Sequence, residues 1–350
     1  MTHQQELFQA CLTELLAGRD VVRAVILRTW GSTPREVGAD MVIDSQGQLL
    51  GTVGGGCGEA EVYELARELL EDSTSPQGAI LHVDLTENPD DGGGKVCGGR
   101  FDVLLHRLTA QAHLSLVTRV VESLRSGKTV VWRTDLGSSP TGFWKQGASR
   151  KELCPEVSLD SVSEDPDVLL ISEQGQTVFA EPVGLSRRLV IVGAGHIARP
   201  LCAMAALAGY QVHILDDRAE YARAEFFPDA DEVHCGDYEK ALPPLVQGRL
   251  VSVVLVTRGH RHDQECLRLV ADCDLEYLGM IGSKRRVKAV FQDLLVEGVP
   301  KQRLDRVCAP IGLDIGAQTP AEIAICILAE MIARRRLPAE GWPSLSRRPH

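Results

Sequence analysis

The sequence predicts an α/β protein in two parts: a mixed α+β first half, then a doubly wound parallel sheet. Three observations carry this. From Arg188 onward, short Val/Ile/Leu runs alternate with helical stretches, the rhythm of a parallel sheet covered on both faces. LVIVGAGHIA, residues 189–198, reads as a buried strand, a glycine turn and a helix start in succession. Before residue 188, β-rich segments also alternate with helices, but a hairpin signal and glycine-rich loops interrupt the pattern. The expected divisions are 1–180, 186–336 and a flexible tail over 337–350.

The elements follow in order. Residues 3–16 form an amphipathic helix with Leu7, Cys11 and Leu15 on one face. VVRAVILRTWG (21–31) is a β-rich run entering the polar loop STPREVGAD. MVID, the turn SQGQ and LLGTV make a hairpin. After a glycine cluster come a helix over 59–71, the strand AILHVDL (79–85), a second glycine-rich loop (87–100) and the strand FDVLLHRL. A helix over 114–125 and the strand TVVWRT follow. Residues 136–168 are poor in periodic signal and read as irregular surface structure of the first part. QTVFAEPVGLSRR (176–188) is the expected crossover. The second part then reads LVIVGAG, helix, QVHILDDR, VHCGDY, helix, VSVVLVTRG, helix, EYLGMIGS and a final helix over 321–333. That last helix opens on a capping box, with Thr319 as N-cap, Pro320 at the first helical position and Glu322 three residues on.

Composition narrows the function classes. With 44% hydrophobic and 24% charged residues over 350 positions, the chain can build two compact cores. No apolar run approaches the ~20 residues that span a bilayer, and no membrane association is expected. The N-terminus lacks the basic-then-apolar order of a secretion signal and is expected to be retained. Ten scattered cysteines without CxxC or zinc-ribbon spacing indicate reduced thiols and a cytoplasmic location. A net charge of −11 argues against general nucleic-acid binding.

Two glycine-rich regions carry the chemistry. In the second half, Gly193 permits a tight turn and Gly195 lets main-chain amides approach a pyrophosphate. Ala198 allows close helix–strand packing. Asp216 and Asp217, about 20 residues on, suit a ribose hydroxyl pair. NAD, another nucleotide or a pterin phosphate would satisfy the same physics. Arg258–Asp263 (RGHRHD) follows a strand at the carboxyl edge where such sheets bind ligands, making Gly259 and His260 candidate contacts. His260, His262 and Asp263 read as ligand-contacting or capping groups, and no metal site is assigned. GMIGSKRR places Gly282, Ser283 and Lys284, with Arg285 and Arg286, as an anion cradle or else a solvated helix face. The IGLDIGAQ loop is able to close over the same ligand.

In the first half, GTVGGGCGEAEV sets Gly54, Gly55 and Gly56 before Cys57. Such glycines supply positive φ and exposed N–H groups, a nest for an anion. At a helix N-terminus the Cys57 thiolate is stabilised by the dipole, against which Glu59 and Glu61 work. The alternative is a tight strand-to-helix connection. GGGKVCGG (92–99) repeats the theme with Lys95 and Cys97, and Ser32, Thr33 and Arg35 add anion-capable groups.

Taken together, GSTPREVGADMVID, GTVGGGCGEAEV, KVCGGRFDV, FAEPV, VIVGAGHIARPL, ILDDR, YLGMIGSKRR and PIGLDIGAQTPAEIA resemble the XdhC/CoxI family, over about residues 21–336. These are accessory proteins of xanthine dehydrogenase-type and carbon monoxide dehydrogenase-type molybdenum hydroxylases. The resemblance implies an N-terminal XdhC/CoxI domain and a C-terminal Rossmann-like domain. It implies binding of molybdenum cofactor, as molybdopterin or a dinucleotide form, and its protection while a cysteine desulfurase installs the sulfido ligand. Delivery to an apo molybdenum hydroxylase follows, and a homodimer is expected. The family's glycine–cysteine loop falls on Gly54, Gly55, Gly56 and Cys57, and its Rossmann turn on Gly193, Gly195 and His196. Cys57 would contact molybdenum or relay sulfur, and a cleft between two domains would keep the cargo from water. RGHRHD carries more cation than the family's HDH-type stretch, and 136–167 matches nothing in it. The alternatives are an NAD(P)-dependent oxidoreductase on the Rossmann half and a nucleotide-binding regulatory protein without chemistry.

Overall fold

The computed structural model of the chain describes residues 3–54, 56–71, 77–85, 99–137, 150–153, 156–161, 169–173, 176–248, 250–337 and 344; Cys57, 150–153, 156–161, 169–173 and Gln176 are described by backbone alone. The chain divides into two compact units, Met1–Leu185 and Ser186–His350.

The first unit contains α1 (His3–Leu16), β1 (Val21–Trp30), β2 (Asp40–Ile43), β3 (Leu49–Gly51), α2 (Cys57–Glu71), β4 (Gly78–Asp84), β5 (Arg100–Leu108), α3 (Ala110–Arg125), β6 (Val130–Asp135), β7 (Arg150–Leu153), β8 (Glu156–Ser161), β9 (Leu169–Glu173) and β10 (Gln176–Val183). Six strands form one sheet in the order β3-β2-β1-β5-β4-β7, and four form a second, β8-β6-β10-β9. All of these pairings are antiparallel. The VVRAVIL run of β1 is buried throughout rather than alternating, because the six-stranded sheet is covered on both faces. Val62, Leu65, Ala66 and Leu69 of α2 pack on one face. Leu7, Phe8 and Cys11 of α1 join Val117, Val120 and Val121 of α3 in a core that includes Val21, Val42 and Trp132.

Four expectations change here. The stretch 136–168, read as irregular, contains β7 and β8, and 176–188, read as a crossover, holds β10 between β6 and β9 in its sheet. Short strands such as β7 and β8 draw order from the ladders of β4 and β6, so their own sequence carries little pattern. The helix read as beginning at residue 59 begins at Cys57, and the one read from 114 begins at Ala110, where the Thr109 side chain accepts the Ala112 N–H.

The second unit contains β11 (Arg187–Val192), α4 (Ala198–Leu207), β12 (Tyr210–Asp216), β13 (Glu232–Cys235), α5 (Tyr238–Leu245), β14 (Val251–Leu255), α6 (His260–Val270), β15 (Tyr277–Met280), α7 (Lys284–Val296), α8 (Lys301–Leu304) and α9 (Pro320–Arg336). Its five strands are all parallel, in the order β13-β12-β11-β14-β15. Residues of α4 and α9 pack with Leu189, Ile191, Val212 and Ile214 on one face. Residues of α5, α6 and α7 pack with Val190, Val192, Leu215 and Val253 on the other. This is the doubly wound, Rossmann-like sheet expected. The capping box is present: Thr319 accepts the Glu322 N–H, and Glu322 accepts the Thr319 N–H. The terminal segment contributes one described residue beyond Leu337: Ser344, buried and bridged to Leu313. Among the described residues, no helix is long and apolar enough to cross a membrane.

Candidate functional site

Strand order reverses between β11 and β14, so the carboxyl ends of these two strands flank the switch point where open α/β sheets bind ligands. The turn after β11 is held by its own sequence. Gly193 adopts φ +108°, and a Cβ there would lie 2.5 Å from the Val256 carbonyl oxygen, so only glycine fits against the loop after β14. Its N–H donates to Leu215 O (2.7 Å), and the Ala194 N–H donates to Asp216 Oδ2 (2.7 Å). Gly195 differs: a Cβ there would meet no atom within 4 Å. His196 is exposed and Ala198 fully buried. Ile197 and Gly259, the N-caps of α4 and α6, supply no side-chain hydrogen bond to their helices. The first-turn N–H groups of both helices therefore look to another acceptor, the arrangement that favours an anion.

The acidic pair divides its duties. Asp216 is fully buried, and its oxygens accept from Ala194 N, from Arg218 N (3.0 Å) and from the Arg218 guanidinium (2.9 and 2.9 Å). Burial pushes its carboxyl up, but these donors outweigh that and hold it below the usual range. Asp216 thus locks the glycine turn to β12. Asp217 is partly exposed; it accepts from Tyr238 Oη (3.1 Å) and from Arg258 Nη2 (3.3 Å). Of the two carboxylates, Asp217 is the one reachable from solvent.

The histidines of RGHRHD separate. His260 Nε2 lies 3.7 Å from Asp293, and His262 Nδ1 3.5 Å from Glu265. Asp263 is fully buried, accepts the Thr257 hydroxyl and pairs with Arg286. Burial raises its carboxyl despite these partners. Arg286 is therefore tied to Asp263, and Lys284 and Arg285 of the expected cradle are exposed. Ser283 caps α7 by accepting the Arg286 N–H (3.3 Å). Beside Gly282, a 210 Å³ cavity is lined by Ile311, Asp314, Gly316 and Cys326 of the IGLDIGAQ loop and α9. That loop is anchored by buried Glu330, which accepts from Gly312 N (2.8 Å), Tyr277 Oη (2.6 Å) and the Ser344 hydroxyl.

In the first unit, Gly54 (φ +121°) and Gly56 (φ +84°) both have positive φ, and the buried Gly54 already donates its N–H to Thr52 Oγ1 (3.1 Å). A Cβ on Gly54 would lie 2.5 Å from Pro34 Cγ, whereas one on Gly56 would face open space. Cys57 is the first residue of α2. Gly58 brings that helix close, its absent Cβ falling 3.0 Å from Val83 and 3.2 Å from Phe101. A Cβ on Gly99 would lie 2.2 Å from the Ser32 carbonyl, so the STPREVG loop abuts the end of the second glycine loop as well as Gly54. Gly55, Lys95 and Cys97 lie outside the described residues.

One group near these loops escaped sequence reasoning. Asp102, fully buried in β5, lies 2.8 Å from His82 Nδ1, and the His82 ring sits edge-on to Trp30, which is 43% exposed. The only hint was an aspartate inside the apolar run FDVLLH.

Comparison with known proteins agrees along the chain. Residues 15–84 match the model of the XdhC and CoxI family, and residues 189–331 that of the XdhC Rossmann domain. A Bacillus subtilis protein named as a probable component of xanthine dehydrogenase is 29% identical over 334 residues, spanning 94% of this chain and 98% of its own. The molybdenum cofactor insertion chaperone PaoD of Escherichia coli is 24% identical over 334 residues, spanning 92% of this chain and 85% of its own. A crystal structure described as a xanthine dehydrogenase from Bacillus halodurans matches with a TM-score of 0.72 at 28% identity, over 97% of this chain and 98% of the other.

Proposed function

The chain belongs to the XdhC/CoxI family, and from that premise we propose that it binds molybdenum cofactor, protects it during sulfuration and delivers it to an apo molybdenum hydroxylase of the xanthine dehydrogenase or CO dehydrogenase type. The names of two relatives, a molybdenum cofactor insertion chaperone and a probable xanthine dehydrogenase component, support the general role. The observation that carries it is the open Gly195 at the switch point, flanked by two helix N-termini without side-chain caps. A phosphate or pyrophosphate of the cargo docks there on main-chain N–H groups. Asp217 faces the sugar of a dinucleotide form, while Gly259, His260, Gly282, Ser283 and Lys284 border the same edge.

Gly54, Gly55 and Gly56 are the proposed contacts contributed by the first unit, and Cys57, at the head of α2, is the sulfur group offered to molybdenum. A cysteine desulfurase supplies the sulfur, and the carrier works as a cytoplasmic homodimer. The cargo itself brings the oxidised metal and its dithiolene; the chain's part is to grip phosphate, exclude water and present a thiol.

Gly195→Asp tests the reading. Its side chain has room, so the fold is kept, while a carboxylate now stands where phosphate docks. The purified variant, incubated anaerobically with molybdopterin, should bind it at least about tenfold more weakly by native mass spectrometry and released-pterin fluorescence. Unchanged binding would end the proposal. In Cys57→Ala, pterin should still bind while activation of the client falls; full activation would reduce Cys57 to a structural residue.

A further inference from the structure

On the edge of the parallel sheet, away from any group used above, three side chains meet. His213 of β12 stands directly across from Glu232 of β13, and His234 is two residues further along the same strand, on the same face. Donor atoms of all three lie within 4.8 Å of one another. His213 Nδ1 is 3.6 Å and His234 Nε2 is 3.0 Å from Glu232 Oε2. The two imidazole rings stack, 15° apart at 5.7 Å.

The decisive feature is that neither nitrogen is satisfied. His213 is only 7% exposed, and its Nδ1 is buried with no hydrogen-bond partner among the described residues; the same holds for His234 Nε2. Nitrogens this close to a carboxylate oxygen would ordinarily point an N–H straight at it, and a buried polar atom left without a partner costs free energy. An ion at the common focus resolves both facts. Donors about 2.0–2.1 Å from a tetrahedral metal stand about 3.3 Å from one another, and the two observed separations from Oε2 bracket that value.

We infer that His213, Glu232 and His234 form a binding site for a divalent, zinc-class metal ion that clamps the edge strand β13 to β12. Two imidazoles and one carboxylate are the donor set such an ion takes with a fourth position left to water. Burial, with Arg188 nearby, favours the neutral His213 ring that can ligate. The competing charges are accounted for. Arg188 donates to the Leu245 (3.2 Å) and Gln247 (3.3 Å) carbonyls, and Asp231 accepts the Val212 N–H (2.8 Å).

The test uses the full chain, stripped with chelator and titrated with Co2+. One equivalent should bind with visible bands of four-coordinate intensity and without thiolate charge-transfer absorption. Zn2+ should displace it and raise the thermal midpoint. His234→Ala and Glu232→Gln, both outside the core, should fold by circular dichroism and lose that equivalent. Absence of saturable uptake, retention in both variants, or a thiolate signature would each overturn the assignment. The readout involves no pterin, so it stands apart from the carrier proposal.

Discussion

At residue scale, neighbouring glycines do opposite jobs. Gly193 is a structural requirement, with φ +108° and the Val256 carbonyl 2.5 Å from where a Cβ would stand, whereas Gly195 faces open space without left-handed backbone. Gly193→Ala should therefore destabilise the second unit by about 1–3 kcal/mol or more, read as a lower urea midpoint. Gly195→Asp should leave that midpoint nearly unchanged while losing the ligand. If Gly193→Ala were as stable as the parent, the close approach of the two strand-end loops would be wrong. The GxGxxA spacing disclosed both glycines. It did not disclose that Asp216 is consumed holding the Ala194 N–H and Arg218, leaving Asp217 accessible, because that depends on which carboxylate the strand turns inward.

At element scale, the notable device is a buried charge cluster joining the two sheets of the first unit. Arg23 of β1, 4% exposed, donates to Asp40 of β2 through Nε (3.0 Å) and Nη2 (2.6 Å), and to Glu181 of β10 through Nη1 and Nη2. Burial pushes both carboxyls up. Arg23, with His3 nearby, outweighs this for Asp40, which ends below the usual range, while Glu181 stays above it. Removing the cation strands two buried acids. Arg23→Met should cost about 3–5 kcal/mol, read as a lower unfolding midpoint, and Arg23→Met with Glu181→Gln should recover part of it. Equal stability of parent and single variant would show that the cluster contributes nothing. A lone arginine in VVRAVIL was visible in the sequence, but not its partners, which lie 17 and 158 residues away. The strands β7 and β8 escaped for the same reason: their hydrogen-bonding partners, β4 and β6, are distant in sequence.

For the molecule as a whole, pH is the informative variable. His106 is buried against His113 in an edge-to-face pair, and burial, reinforced by His113 and Arg23, lowers its pKa to about 3. Burial also lowers His113 and His213. A histidine held neutral in the folded chain takes up its proton only on unfolding. Stability is thus intact above the unfolded value of about 6.5 and is lost as pH falls from there toward about 3. The urea midpoint should drop between about pH 7 and about pH 5, and His106→Leu should flatten the dependence in the first unit. A midpoint constant across that window would contradict the buried neutral state.

What the sequence determined alone was local: the β–α rhythm after Arg188, the glycine turn, the capping box at Thr319 and the hairpin after Met41. Each is written in neighbouring residues, where spacing dictates backbone conformation. Tertiary structure decided the rest: which aspartate is spent, why Arg286 serves Asp263 and not solvent, and how His213 meets Glu232 and His234. Those outcomes depend on which side chains the parallel and antiparallel ladders bring face to face, and no window of consecutive residues contains that information.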